Sequence, residues 1–202
     1  MEQVKGIIFY SNGIAEPIKS MVEKSIEVGL PITKSYSNGN SYKEMVEQII
    51  DCLERSEEKY VFFCEHDVLY SQSHFDFTPL KDNVFYYNTN VYRWDYPNDR
   101  YITYDRLVSL SALCVNRLFA LDHYKRRLEL IPEGDRLCRT MGYEPGTKRK
   151  KIGGFSDDTF ETWQSEKPLI DIRHNNTFSP RKVTLDKFKH KPTGWKETNE
   201  RP

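Results

Sequence analysis

Residues 59–70 read KYVFFCEHDVLY. An aromatic and β-branched run with the pattern of a core strand is interrupted by Glu65, His66 and Asp67 and then resumes. Side chains alternate along a strand, so Glu65 and Asp67 project to one side and His66 to the other. Two carboxylates on one side, at the carboxyl end of a strand in an open α/β sheet, seat a hard divalent cation, which in turn bridges substrate phosphates. The plainer reading is a strand surfacing into a polar turn. Acids that interrupt an apolar run, rather than follow it, favour the metal.

A second group lies far along the chain, in DIRHNNTFSPR at 171–181. A histidine just beyond a strand, with amide and basic neighbours, completes an oxygen-rich metal site, neutralises a diphosphate, or is an ordinary hydrogen-bonded imidazole. Arg173 alternates away from His174 and serves equally as an ion-pair partner in the fold.

These residues need elements that bring them together. VKGIIFY reads as a strand and is followed by the turn signal SNG. Pro17 opens a helix with Ile18, Met21, Val22 and Ile26 on one face, and Gly29 ends it. LPITKSYS is a second strand, and Ser41 with Glu44 forms a capping box before the amphipathic Met45, Val46, Ile49, Ile50 and Leu53. Residues 4–70 thus alternate β-α-β-α-β, the pattern of a parallel right-handed sheet. The alternation then breaks down. DNVFYYNTNVYRWDY and YITYDRLVSLSALCV read as strands of a mixed portion, separated by a Pro-Asn-Asp turn, and 116–131 as a helix with Leu121, Tyr124, Leu128 and Ile131 inward. Residues 132–154 read as a loop, SDDTFETWQSE as a short helix capped by Ser156, PLIDIRH as a last strand, and the chain from 175 onward as irregular.

Acidic and basic residues balance at 30 each, so any contact with nucleic acid must be local, in KRKK at 148–151 or the lysines of 182–191. Cys52, Cys64, Cys114 and Cys138 form no CxxC pair and read as buried thiols. With no apolar stretch of membrane-spanning length and no basic leader, the expected location is the cytoplasm.

Taken together, GIIFYSNG, YVFFCEHDVLY, SHFDFTPLKDNVFYYNTNVYRWD, MGYEPGT, DIRHNNTF and the terminal GWKE resemble a group of GT-A-type, family-2-like glycosyltransferases of phage and bacterial genomes. The resemblance implies an α/β fold: a GT-A-like, Rossmann-like mixed sheet flanked by helices in a single domain. Residues 1–95 would form its nucleotide-sugar-binding half, 96–175 its acceptor-side half and 176–202 an irregular tail. It further implies a nucleotide-sugar donor such as a UDP-hexose, Mn²⁺ or Mg²⁺ as cofactor, and Glu65-His66-Asp67 in place of the acidic DXD motif. His174 would be a metal ligand beside Asp67 and Glu65. A phage-encoded enzyme would work in the host cytoplasm.

In such a reaction Tyr10, Ser11 and Asn12 stack on and hydrogen-bond the donor base, unless they are only an Asn-Gly turn. Glu65, His66 and Arg173 complete the donor-binding set. An inverting reaction needs a base at the acceptor, for which Asp158 is first, then Asp157 and Glu161; acids at a first helical turn also merely complement the dipole. Tyr86, Tyr87, Tyr92 and Trp94 make either a stacking platform or core. The acceptor is a glycan or a modified nucleic acid. Two other readings stand beside this one: a metal-dependent phosphoesterase or nuclease built on Glu65, Asp67 and His174, and a non-catalytic nucleic-acid-binding module relying on basic loops and tyrosines.

Overall fold

The computed structural model describes residues 4–11, 18–39, 41–105, 107–134, 140–147, 159–173 and 182–202. The chain opens with the expected alternation: β1 (Lys5–Ser11), α1 (Ile18–Ser25), β2 (Ile32–Tyr36), α2 (Tyr42–Arg55) and β3 (Tyr60–Glu65). The capping box forms, with the Ser41 hydroxyl accepting from the Glu44 amide at 3.2 Å and the Glu44 carboxylate accepting from the Ser41 amide at 3.0 Å. β1 pairs in parallel with β2 on one side and β3 on the other.

Period-two alternation sends Ile7 and Phe9 of β1 into one apolar cluster with Val22 and Ile26 around α1. Ile8 and Tyr10 enter another with Val46, Ile49 and Leu53 of α2. The two helices therefore cover opposite faces, and the winding of the chain reverses between β1 and β3. In open α/β sheets that reversal leaves a crevice at the carboxyl ends of the two strands. Phe62 and Phe63 of β3 are fully buried on opposite faces. Each such side chain stabilises the fold by about 1.5–3 kcal/mol through burial alone.

Beyond Glu65 the chain changes sheets. His66 and Asp67 make a turn, and β4 (Val68–Leu69) already belongs to a second sheet. There follow α3 (Gln72–Phe75), β5 (Val84–Asn88), β6 (Val91–Asp95), β7 (Arg100–Thr103), β8 (Leu113–Asn116), α4 (Arg117–Leu130), β9 (Thr159–Trp163), β10 (Leu169–Arg173) and β11 (Lys196–Thr198). The first sheet runs β2-β1-β3-β8-β5-β9 and the second β11-β7-β6-β10-β4; both are mixed. Helices α2 and α4 cover the outer face of the first sheet, and the cluster on its inner face is shared with the second sheet. The expected mixed α/β architecture with flanking helices is present, with the strands divided between two sheets.

Three expectations are corrected. The segment expected as a short helix at 156–166 contains a strand, β9, parallel to β5; Thr159, Phe160, Thr162 and Trp163 are β-branched or aromatic and suit a sheet edge. The terminal region is not wholly irregular, because Lys196–Thr198 pairs antiparallel with β7 and Trp195 stacks on Tyr104, with 6.0 Å between ring centroids. Of the two readings of the aromatic strip, core holds for Tyr86 and Tyr87, buried in the first sheet, while Tyr92 and Trp94 are half-buried in the second. The expected halves also interleave, since β8 lies between β3 and β5. Cys52, Cys64 and Cys114 are buried free thiols, and burial pushes the Cys52 thiol up to about 12. Cys138, Asn12, KRKK at 148–151, Asp157, Asp158 and His174 lie outside the described residues.

Candidate active site at the strand switch

Tyr10 and Glu65 are register partners at the carboxyl ends of β1 and β3, where the winding reverses. The Tyr10 hydroxyl donates to Glu65 Oε1 at 2.9 Å. The Glu65 backbone amide donates to the Tyr70 hydroxyl at 2.9 Å, and that hydroxyl donates onward to the Ser111 carbonyl at 3.1 Å. A half-buried carboxylate is thus fixed from both its side chain and its backbone.

Its surroundings are strongly acidic. Burial pushes the Glu65 carboxyl up to about 8, the negative charges of Asp67, Glu144 and Asp171 add to the rise, and the Tyr10 hydrogen bond opposes it. Two carboxylates this close disfavour joint ionisation unless a positive charge joins them.

Asp67 sits one turn on, half-buried, and its carbonyl accepts from the Ile172 amide at 2.8 Å. That bond continues the β4 and β10 ladder, in which Asp171 pairs with Val68. The end of β10 therefore lies alongside the turn that carries Asp67, as the shared-cation expectation requires of the backbone. Arg173, the last residue of β10, is buried and ion-paired to Asp171 on the same strand. Burial works against its charge, and Asp171, Asp67 and Glu65 hold its pKa above the usual value. Arg93 Nε lies 3.7 Å from Asp171, and Arg100 Nη2 lies 3.5 Å from the buried Asp95. Register places Asp171, Arg173, Arg93 and Asp95 on one face of the second sheet, a charged ladder leading to the acid pair.

Glu144 was not singled out by sequence reasoning, yet its charge acts on Glu65. It stands in the MGYEPGT loop, which α4 holds through one buried guanidinium. Arg127 donates to the carbonyls of Tyr143 (3.2 Å), Gly142 (3.2 Å) and Met141 (3.4 Å) and to the Tyr42 hydroxyl (2.7 Å). The Tyr87 hydroxyl donates to the Pro145 carbonyl at 2.8 Å. Gly146 has φ +76°, a left-handed conformation, and a side chain there would come within 3.2 Å of the Thr159 carbonyl, so glycine is required. Burial pushes the Glu144 carboxyl up to about 7, against the pull of Arg127 and Arg173.

The remaining expected site residues fare differently. Ser11 is buried, and its carbonyl accepts from Gln48 Nε2 and the Ser37 amide, each at 3.0 Å. His66 is half-buried in the turn. Glu161 is not brought to the acid pair: it stands on the edge strand β9, three strand positions from β3 or roughly 14 Å away, with its carboxylate 2.6 Å from Lys81 Nζ. Among the described residues no cluster of three or more His, Cys, Asp or Glu side chains is arranged to hold a metal. No described helix is long and apolar enough to cross a membrane.

No family model matches this chain, and no curated protein matches it. Among solved structures, one described as a glycosyltransferase involved in the glycosylation of the major capsid of PBCV-1 aligns with a TM-score of 0.48 and 10% sequence identity, over 82% of this chain and 92% of that one.

Proposed function

We propose that this protein is a metal-assisted glycosyltransferase that moves a sugar from a nucleoside-diphosphate donor to an acceptor hydroxyl on a glycan or a modified nucleic acid. The observation that carries this reading is the acid pair Glu65 and Asp67 at the β1/β3 switch point, held by Tyr10 and bonded through the Asp67 carbonyl to the end of β10. The donor set suits a hard cation, because the charge of Asp67 raises the proton affinity of Glu65 and a divalent ion relieves that repulsion. Asp67 and Glu65 would hold Mn²⁺ or Mg²⁺, with His174, two residues beyond Ile172, as a further ligand. Once bound, the ion supplies Lewis-acid stabilisation of the negative charge growing on the departing diphosphate, worth several kcal/mol.

The chain's own residues do the rest. Tyr10 keeps the Glu65 carboxylate oriented; its ring and the Ser11 side chain are buried in the fold, so they would not stack on the donor base as expected, and the base would lie beyond the carboxyl end of β1. Arg173 is ion-paired to Asp171, so the cation would be the main positive charge offered to the phosphates. For the acceptor hydroxyl the base is Asp158, then Asp157; Glu161, paired with Lys81 at the sheet edge away from the acid pair, takes no part. Glu144 is a further proton acceptor suited to neutral pH by its value near 7.

Turnover of a panel of nucleotide sugars with Mn²⁺ tests the reading, the released nucleoside diphosphate being measured for wild type, Asp158→Asn and Glu144→Gln. Transfer should need the metal, and the variant lacking the base should fall by about 10² or more with donor affinity kept. Cleavage of a phosphodiester by the protein without any nucleotide sugar would instead identify a phosphoesterase.

A further inference from the structure

A separate cavity of about 220 Å³ opens where β6 begins and β7 ends, lined by Asn90, Tyr92, Tyr104, Asp105, Gln164 and Lys196 among others. It lies at the end of the second sheet opposite Arg173 and Asp95, about 13 Å along the strands at about 3.3 Å per residue. Its wall is built. The Asp105 amide donates to the Thr193 carbonyl at 2.9 Å, β11 pairs Lys196 with Thr103, and Asn90 Nδ2 donates to the Ser165 carbonyl at 2.9 Å.

The residues that line this cavity carry polar ends not committed to bonds within the described fold. The hydroxyls of Tyr92 and Tyr104, the Asp105 carboxylate, the Gln164 amide and the Lys196 ammonium make no hydrogen bond or ion pair among the described residues. Tyr104 is already covered by Trp195 and by Arg93, whereas Tyr92 packs against the core cluster on one side and makes no ring-to-ring contact among the described residues. A carboxylate and an amide that accept from vicinal hydroxyls, an amide and an ammonium that donate, and one aromatic ring make the donor and acceptor set of a neutral sugar ring. Phosphates would face Asp105 with one lysine to offset it, and the volume is below the roughly 300–1,000 Å³ that encloses a drug-sized ligand. We propose that this cavity binds one neutral hexopyranose unit, separately from the acid pair. The proposal stands whether or not Glu65 and Asp67 serve sugar transfer.

Saturation-transfer NMR on the whole chain tests it, with methyl glucoside, galactoside and mannoside as probes and their disaccharides as a second arm to separate a free sugar from a glycan end. At least one glycoside should bind saturably, be indifferent to added UDP and bind equally well to Asp67→Asn. Asp105→Ala and Gln164→Ala, both at exposed positions that leave the fold intact, should each weaken it about tenfold. Failure of every glycoside to bind, unchanged binding in both variants, or displacement by UDP would each overturn the proposal.

Discussion

His74 shows how one buried side chain sets a pH limit on this fold. It is fully buried against Phe62, Tyr70 and Trp163. Asn88 Oδ1 accepts from the Asn90 and Ser165 amides, which leaves Asn88 Nδ2 facing His74 Nδ1 at 3.2 Å, so Nδ1 accepts and the proton sits on Nε2. Burial drives the imidazole down to about 3. Between the unfolded value near 6.5 and that folded value, the unfolded state binds the extra proton. The contribution is whole above about pH 6.5 and is lost as pH falls towards 3, by a few kcal/mol in all. His74→Asn keeps an acceptor for Asn88 but cannot titrate, so urea midpoints measured from pH 7 to 4 should fall less steeply in the variant. Parallel curves would contradict this account. At this scale the acid pair was legible because acids broke an apolar run. Glu144 was not, since only Arg127's grip on a distant loop gives it a place, and no local spacing encodes that. Arg173 reads equally as a donor-binding residue or an ion-pair partner, and its charged ladder with Asp171 exists only once β6 lies beside β10.

A few local devices hold the elements around the strand switch in place. Ser41→Ala removes the exposed cap of α2 and should cost about 1 kcal/mol, read as a lower urea midpoint with an unchanged slope. Arg127 has a larger reach, because its guanidinium binds three successive carbonyls that a shorter or single-headed group cannot span. Arg127→Lys should therefore speed amide exchange across residues 140–147 while α2 and the parallel strands stay protected, and should destabilise the fold by about 2–3 kcal/mol. Uniformly unchanged exchange in that loop would show that the guanidinium does not organise it. The β-α-β-α-β start was readable from periodicity and caps alone. β9 was misread because Ser-Asp-Asp followed by Thr-Phe-Glu-Thr-Trp carries a helix-start signal as well as strand formers, and pairing with β5 decided between them.

Across the whole molecule, the crossing of the chain at His66 and Asp67 brings chemistry from both sheets to one place. Local sequence reports that a segment is a strand; it does not report which sheet takes it, and β5 and β6, only two residues apart, part company for that reason. A ligand that bridges the two sheets at the crossing should stabilise them jointly. Saturating nucleotide sugar with Mn²⁺ should raise the melting temperature in one cooperative step, by about 2.7 kcal/mol of stability at a hundredfold excess over Kd. Chelation should cancel the shift.

The central claim is that Asp67 and Glu65 together hold the cation through which a nucleotide sugar binds. Calorimetric titration of the nucleotide sugar that gives the largest thermal shift, into wild type and Asp67→Asn with and without Mn²⁺, tests it most directly. The wild type should show metal-dependent binding, and the variant a loss of that binding with an unchanged melting temperature in the absence of ligand. Equal donor affinity in the two proteins in the presence of Mn²⁺ would contradict it.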